Sequence, residues 1–143
     1  MVALECMDRV NVIWLNGDVF LQSQVIERVL AGTGNIIAVN KEKCGAEEVK
    51  YQTGQSERIV KISKDLVRSE GEAVGINKID KVDFTVFLES LRECGDQDYF
   101  EKAIELCIPK GVEFRPVDIS DYICVEVDFK KDLERITSFG HRD

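Results

Sequence analysis

The sequence predicts one α/β domain with a mixed, mainly parallel sheet flanked by helices. Three observations carry this. The runs Val10-Asn11-Val12-Ile13-Trp14-Leu15 and Ile36-Ile37-Ala38-Val39 are strand-sized and apolar at nearly every position, as strands covered on both faces are. Between them, Gln22 to Leu30 places Val25, Ile26, Val29 and Leu30 on one helical face. Strand, helix and strand in that order form a right-handed crossover with a parallel pair. The chain has 143 residues, 44% of them hydrophobic and 32% charged, which suits a single packed core and argues against disorder. It shows no internal repeat, low-complexity segment or linker, so residues 1–143 read as one domain.

The remaining elements follow in order. The first strand stops at the turn Asn16-Gly17-Asp18, and the helix after it ends at Gly32 and Gly34. Asn35 to Asn40 is the second strand. Val49 to Gln52 and Ile59 to Ser63 flank Thr53-Gly54-Gln55-Ser56 as a hairpin with a longer loop. After the polar stretch Lys64 to Gly71, Ala73 to Ile79 is again strand-like. Val82 to Glu93 and Asp98 to Ile108 have helical spacing, with Tyr99 and Phe100 read as helix packing and Pro109 and Gly111 as the stop. Strands Val112 to Val117 and Tyr122 to Asp128 precede a last helix, Lys130 to Thr137. Trp14 reads as core, and Lys130, Lys131 and Arg135 as the solvated face of that helix.

Composition narrows the chemistry. His141 is the only histidine, so a Ser-His-Asp or Cys-His unit and a His-rich zinc site are poorly served. Lys and Arg number 19 against 27 Asp and Glu, and a net charge of −8 counts against nonspecific nucleic-acid binding. Cys6, Cys44, Cys94, Cys107 and Cys124 form no C-x-x-C pair and are expected to be buried thiols of a reducing cytoplasm. No signal-peptide pattern opens the chain and no apolar run reaches membrane-spanning length, so a cytoplasmic protein without membrane association is expected.

Chemistry on an open α/β sheet gathers beyond the carboxyl ends of strands. Asp18 follows Val12 to Leu15, and Asp128 closes Cys124-Val125-Glu126-Val127, so strand pairing could bring the two together. Two such carboxylates without histidine suit a hard cation such as Mg²⁺, which would neutralise charge on a bound phosphate. A plainer alternative stands beside this: Asp18 as a turn residue and Asp128 as a cap of the following helix.

Several motifs occur in a telling order: Asn16-Gly17-Asp18-Val19, Lys61-Ile62-Ser63-Lys64, Gly71-Glu72-Ala73-Val74-Gly75-Ile76, Asp98-Tyr99-Phe100-Glu101-Lys102-Ala103-Ile104, Val125-Glu126-Val127-Asp128 and Asp132-Leu133-Glu134. From Val10 to Arg135 the chain resembles the later part of the sugar-phosphate nucleotidyltransferases, especially the phosphocholine and phosphonate cytidylyltransferase branch. The resemblance implies a partial Rossmann-like fold and an Mg²⁺-dependent transfer from a nucleoside triphosphate, CTP foremost, to a small phosphorylated or phosphonate acceptor. It implies Asp18, Lys64 and Asp128 as catalytic residues, with Asp18 and Asp128 holding the metal and Lys64 the acceptor phosphate, and Asn16, Gly17, Glu72, Gly75 and Glu101 as substrate-binding. An acceptor already ionised near neutral pH needs no general base, so the lack of usable histidine is no obstacle.

Two departures accompany the resemblance. Phe129 stands where Thr is frequent after the metal Asp. The family also opens on a strand and a Gly-rich loop of the type L-A-A-G-x-G-x-R, and nothing here matches it; Gly32-Thr33-Gly34 follows a helix and precedes a strand, the wrong order for a phosphate loop. Activity would then need the N-terminal half from another chain or segment, and the alternative is a non-catalytic remnant that binds an acceptor or a partner. Val10 to Leu15 is too apolar for an edge strand, so a homo-oligomer, or pairing with that missing half, is expected.

Overall fold

A long central strand, bent in its middle, organises the protein. The computed structural model describes residues 2–7, 10–42, 44–45, 48–127 and 129–139. In chain order the elements are α1 (Val2–Glu5), β1 (Val12–Leu15), β2 (Val19–Leu21), α2 (Ser23–Ala31), β3 (Asn35–Asn40), β4 (Lys50–Thr53), β5 (Ile59–Ser63), β6 (Gly71–Ile79), α3 (Phe84–Glu93) and α4 (Lys102–Cys107). One 3-10 turn (Ile108–Lys110), β7 (Phe114–Asp118), β8 (Cys124–Glu126) and α5 (Lys130–Phe139) complete it.

The main sheet has the order β1-β6-β3-β7-β5-β4, and β4 also pairs with β6, so five of the strands close into a ring. The bend in β6 makes this closure possible. Ile37 lies opposite Asn77, but Val39 lies opposite Ala73, so β6 holds two extra residues against β3 across this interval. Gly75 lies within it with φ of +70°, a left-handed conformation that glycine adopts without penalty. Beyond the bend, Gly71 and Glu72 reach β4; before it, Ile76 to Ile79 pair with β1.

Helices cover both faces of the sheet. On one side, Phe84 and Phe87 of α3 and Ala103, Ile104 and Cys107 of α4 pack with Ile37, Tyr51, Ile62 and Phe114. On the other, Val25 and Val29 of α2 pack with Ile36, Ala38, Ile76 and Ile119. All six residues of β3 are buried, as its unbroken apolar pattern requires. The reading of an α/β domain with a mixed sheet flanked by helices therefore holds, and so does the β4–β5 hairpin.

The expectation of a mainly parallel sheet does not hold. Among the described residues only β3 and β7 pair in parallel, and the other pairings are antiparallel. β6 enters antiparallel between β1 and β3, so the first two predicted strands run in the same direction without touching. β1 is also not covered on both sides. It ends the sheet with β6 as its one neighbour among the described residues, and Leu15 is 43% exposed.

Smaller differences have local causes. The predicted strand Tyr122 to Asp128 contracts to β8 and pairs with β2, a three-residue strand too short to leave a periodic signal. The predicted helix Asp98 to Ile108 begins only at Lys102, because Asp98 Oδ2 accepts the Gly95 N–H at 2.8 Å and the chain turns through Tyr99 to Glu101. It stops as expected, with Pro109 in the 3-10 turn and Gly111 at φ +90°. Of the cysteines, Cys107 is buried and Cys94 and Cys124 are half-buried, whereas Cys6 and Cys44 are exposed, against the expectation of five buried thiols. No helix of the described residues is long and apolar enough to cross a membrane.

Candidate functional site

The bend of β6 is also where a cavity of about 410 Å³ opens. Ala73 and Gly75 of β6 form its floor, and Asn16 closes one side at the end of β1. Glu48 and Val49 enter ahead of β4 and Lys64 from the turn after β5. Tyr99, Phe100 and Glu101 line it from the turns before α4, and Glu126 from β8. Five strands and one helix-leading loop thus converge on it, which is how residues so far apart in sequence share one space.

Asn16 and Gly75 are fixed to each other. The Asn16 N–H donates to the Gly75 carbonyl at 2.9 Å, extending the β1–β6 ladder by one bond. A Cβ on Gly75 would lie 2.4 Å from Asn16 Nδ2, so the absence of a side chain is what lets the Asn16 amide pack over the bend. The residue-15 to residue-16 stretch therefore has its geometry set by a glycine sixty positions later.

Charge in the cavity is arranged around one ammonium and several carboxylates. Lys64 is exposed, with its Nζ over the Tyr99 ring at 5.7 Å from the centroid. Glu101 is only 4% exposed, and its Oε1 accepts from Asn77 Nδ2 at 3.4 Å. Burial pushes the Glu101 carboxyl above the usual carboxylate range; its own backbone N–H, the Asn77 amide and the Lys64 charge pull the other way without prevailing. Asn77 Oδ1 and Trp14 Nε1, on cross-strand partner residues beside it, are buried without a hydrogen-bond partner.

The raised Glu101 pKa has a testable sign. A carboxyl whose pKa is higher folded than unfolded favours the folded state most at low pH, and that stability is lost as pH rises through the folded value. Glu101→Gln, which keeps an acceptor for Asn77, should therefore melt at least as high as wild type at pH 8. The gap should close as pH falls into the ordinary carboxylate range. Circular dichroism melts across that range check this; a Gln variant that is less stable at pH 8 would contradict it.

Asn16, Lys64, Gly75 and Glu101 thus come together from the residues singled out in the sequence. Gly17, Asp18 and Glu72 lie elsewhere. Gly17 and Asp18 are exposed in the turn joining β1 and β2, outside the cavity walls. The Asp18 carbonyl accepts the Val127 N–H at 2.8 Å, so that turn is tied to the segment leading into Asp128, which itself lies outside the described residues. Glu72 alternates with Ala73 along β6 and is half-buried on the opposite face, where its Oε2 accepts the Gly45 N–H at 3.4 Å. Sequence reasoning missed Glu48 and Glu126 as lining residues and took Tyr99 as packing alone. The signal lay in Gly95 and Asp98, whose turn delays the helix and leaves Tyr99 to Glu101 free to face the cavity. Phe100 does both: it lines the cavity and packs on Trp14 at 5.0 Å between ring centroids. Among the described residues, no group of three His, Cys, Asp or Glu side chains comes together as a metal-holding set.

No family model matches the chain, and no curated protein is similar to it in sequence. Solved structures are similar in fold. The inositol-1-phosphate CTP transferase of T. maritima superposes with a TM-score of 0.76 at 16% identity, over 96% of this chain and 57% of that one. The CTP:phosphocholine cytidylyltransferase of Streptococcus pneumoniae gives 0.66 at 14% identity, over 96% and 60%. A nucleoside-diphosphate-sugar pyrophosphorylase from Vibrio cholerae gives 0.62 at 12% identity, over 90% and 56%. The fold is that of the nucleotidyltransferases, and the chain spans less than two thirds of the length of these neighbours.

Proposed function

We propose that the chain carries the acceptor side of a nucleotidyl-transfer site. In the reaction, an oxygen of a phosphorylated or phosphonate acceptor attacks the α-phosphorus of a nucleoside triphosphate, CTP foremost. The new P–O bond forms as the bond to the leaving pyrophosphate breaks. The observation that carries this reading is that Asn16, Gly75 and Glu101, expected to bind substrate, and Lys64, expected to act on the acceptor phosphate, line one cavity from four separate stretches of sequence. Its volume suits a small polar acceptor.

The roles follow from the chemistry of the side chains. Lys64 is a compact point charge for the acceptor phosphate. Glu101, buried beside Asn77, and Asn16 offer hydrogen bonds to the rest of the acceptor. The attacking oxygen is already anionic, so alignment and charge neutralisation supply the rate and no base is required. Asp18 and Asp128 are the oxygen donors that would hold Mg²⁺, a cation of this hardness; the Asp18–Val127 hydrogen bond ties together the two segments that carry them. Bound there, the ion would offset the negative charge of the phosphates.

A non-catalytic acceptor-binding or interaction module is the second reading. It is favoured by Gly32-Thr33-Gly34, which lies between the end of α2 and the start of β3 and so cannot serve as a strand-to-helix phosphate loop. Two calorimetric titrations separate the readings, one with Mg²⁺ and CTP and one with phosphocholine. Heat with phosphocholine is the expected result for the acceptor side; heat with Mg²⁺ and CTP as well, and pyrophosphate on mixing, would show that the chain also transfers without a complementary half. Heat with phosphocholine and none with Mg²⁺ and CTP overturns transfer by this chain alone, and heat with neither at millimolar ligand overturns phosphocholine as the acceptor.

The free edge of β1 bears on assembly. Its outer backbone groups have no strand partner among the described residues, and Val10, Leu15 and Phe20 nearby are each more than 40% exposed. Such an edge invites pairing with another chain. A homo-oligomer or a complementary N-terminal half is the proposed cover. Light scattering at micromolar concentrations should give at least twice the chain mass for the protein alone, and a strict monomer contradicts self-association.

A further inference from the structure

Lys64 sits in a turn, with a flexible four-carbon stem that in isolation samples many rotamers. Something must hold such a cation in place if it is to meet a phosphate at low entropic cost. Tyr99 touches the ammonium directly and the turn that carries it through the neighbouring Ser63. Its ring lies under the Lys64 ammonium, 5.7 Å from the centroid. Its hydroxyl lies 3.0 Å from Glu105 Oε2 and 3.3 Å from Ser63 Oγ. A phenol has one proton, which goes to the carboxylate, and the Ser63 hydroxyl then donates to the phenolic oxygen.

Ser63 Oγ in turn accepts the Asp65 N–H at 3.3 Å. The whole turn from residue 63 to residue 65 is therefore tied to the Tyr99 hydroxyl. Glu105 is steadied from the far side by Lys102 at 3.0 Å. Tyr99 itself is half-buried and lines the cavity, so it is not merely filling the core.

We propose that Tyr99 is the positioning residue for Lys64: its hydroxyl fixes the turn through Ser63, and its ring holds the ammonium at the cavity. The contact stands on the geometry alone; only its consequence for the acceptor rests on Lys64 being the phosphate ligand.

The test has two arms on the full chain. In the first, NMR follows the ε-methylene signals of Lys64, assigned by their loss in Lys64→Ala. A ring-current shift is expected in wild type, kept in Tyr99→Phe and abolished in Tyr99→Leu. In the second arm, phosphocholine and inorganic phosphate are titrated. Tyr99→Leu should bind either about twofold to fivefold more weakly, the worth of an exposed cation–π contact. Tyr99→Phe should lose less, and in a Lys64→Ala background neither Tyr99 change should cost anything further. An unshifted Lys64 signal in wild type overturns the proposal. So does an equal affinity loss from Tyr99→Leu with and without Lys64, which would mark Tyr99 as acting on the acceptor or on the fold. A ring-current shift with no phosphate binding upholds the positioning contact and removes the acceptor reading instead.

Discussion

Gly75→Val is expected to lower stability by roughly 2–4 kcal/mol, since a β-branched residue in a left-handed conformation is strained and must also displace a neighbour. The strain is set by φ of +70°, and the neighbour is the Asn16 side chain, 2.4 Å from where the Cβ would stand. For a domain of this size that corresponds to a melting point lower by about 5–15 °C. The defect should spread in a defined way. Gly75 lies at the bend that lets β6 serve both β1 and β4, so backbone amide exchange should accelerate first at Asn16 and across the β4–β6 pairing. Gly17→Ala is the matched control. No atom lies within 4 Å of its would-be Cβ, and the expected change is within about 0.5 kcal/mol. Equal melting points for Gly75→Val and wild type would contradict the account of the bend.

Lys64→Ala is expected to do the opposite, sparing the fold and damaging the site. Lys64 is exposed and makes no ion pair among the described residues, so its removal should leave stability nearly unchanged. A hydrogen bond to a charged group is worth about 1.5–3 kcal/mol, so affinity for a phosphorylated acceptor should fall roughly tenfold to hundredfold. Lys64→Arg should restore part of that, because the charge returns with a different, planar geometry. Full affinity in Lys64→Ala would remove Lys64 from the site.

The separation of these two effects mirrors what could be read in the sequence. The buried strands and the helix faces were legible because apolar periodicity is a local property. Val25 and Val29 are buried as their spacing demands, although Leu30, placed on the same face, is 58% exposed, and β3 is buried throughout. Strand order was not legible. Nothing local in Ala73 to Ile79 says that it will insert between β1 and β3, since that depends on a bend at Gly75 and on closure with β4. The site was legible in part for the same reason. Asn16, Lys64, Gly75 and Glu101 could be named from ordered motifs, yet only the closed ring of strands shows that they share a cavity. Tyr99 packs against the core as read, but from the turn ahead of α4, because helical spacing persists through residues that the Gly95–Asp98 turn keeps out of the helix. Glu126 was missed as a lining residue because its position depends on the three-residue pairing of β8 with β2.

The central claim is that this cavity takes a small phosphorylated acceptor. A backbone NMR titration with phosphocholine, and separately with a sugar 1-phosphate, tests it most directly. Saturable shifts are expected at Asn16, Lys64, Gly75 and Tyr99 to Glu101 with at least one of the two, abolished by Lys64→Ala. No shift at millimolar ligand, or shifts confined to a separate polar cavity lined by Lys41, Thr53, Glu70 and Arg115, would contradict it.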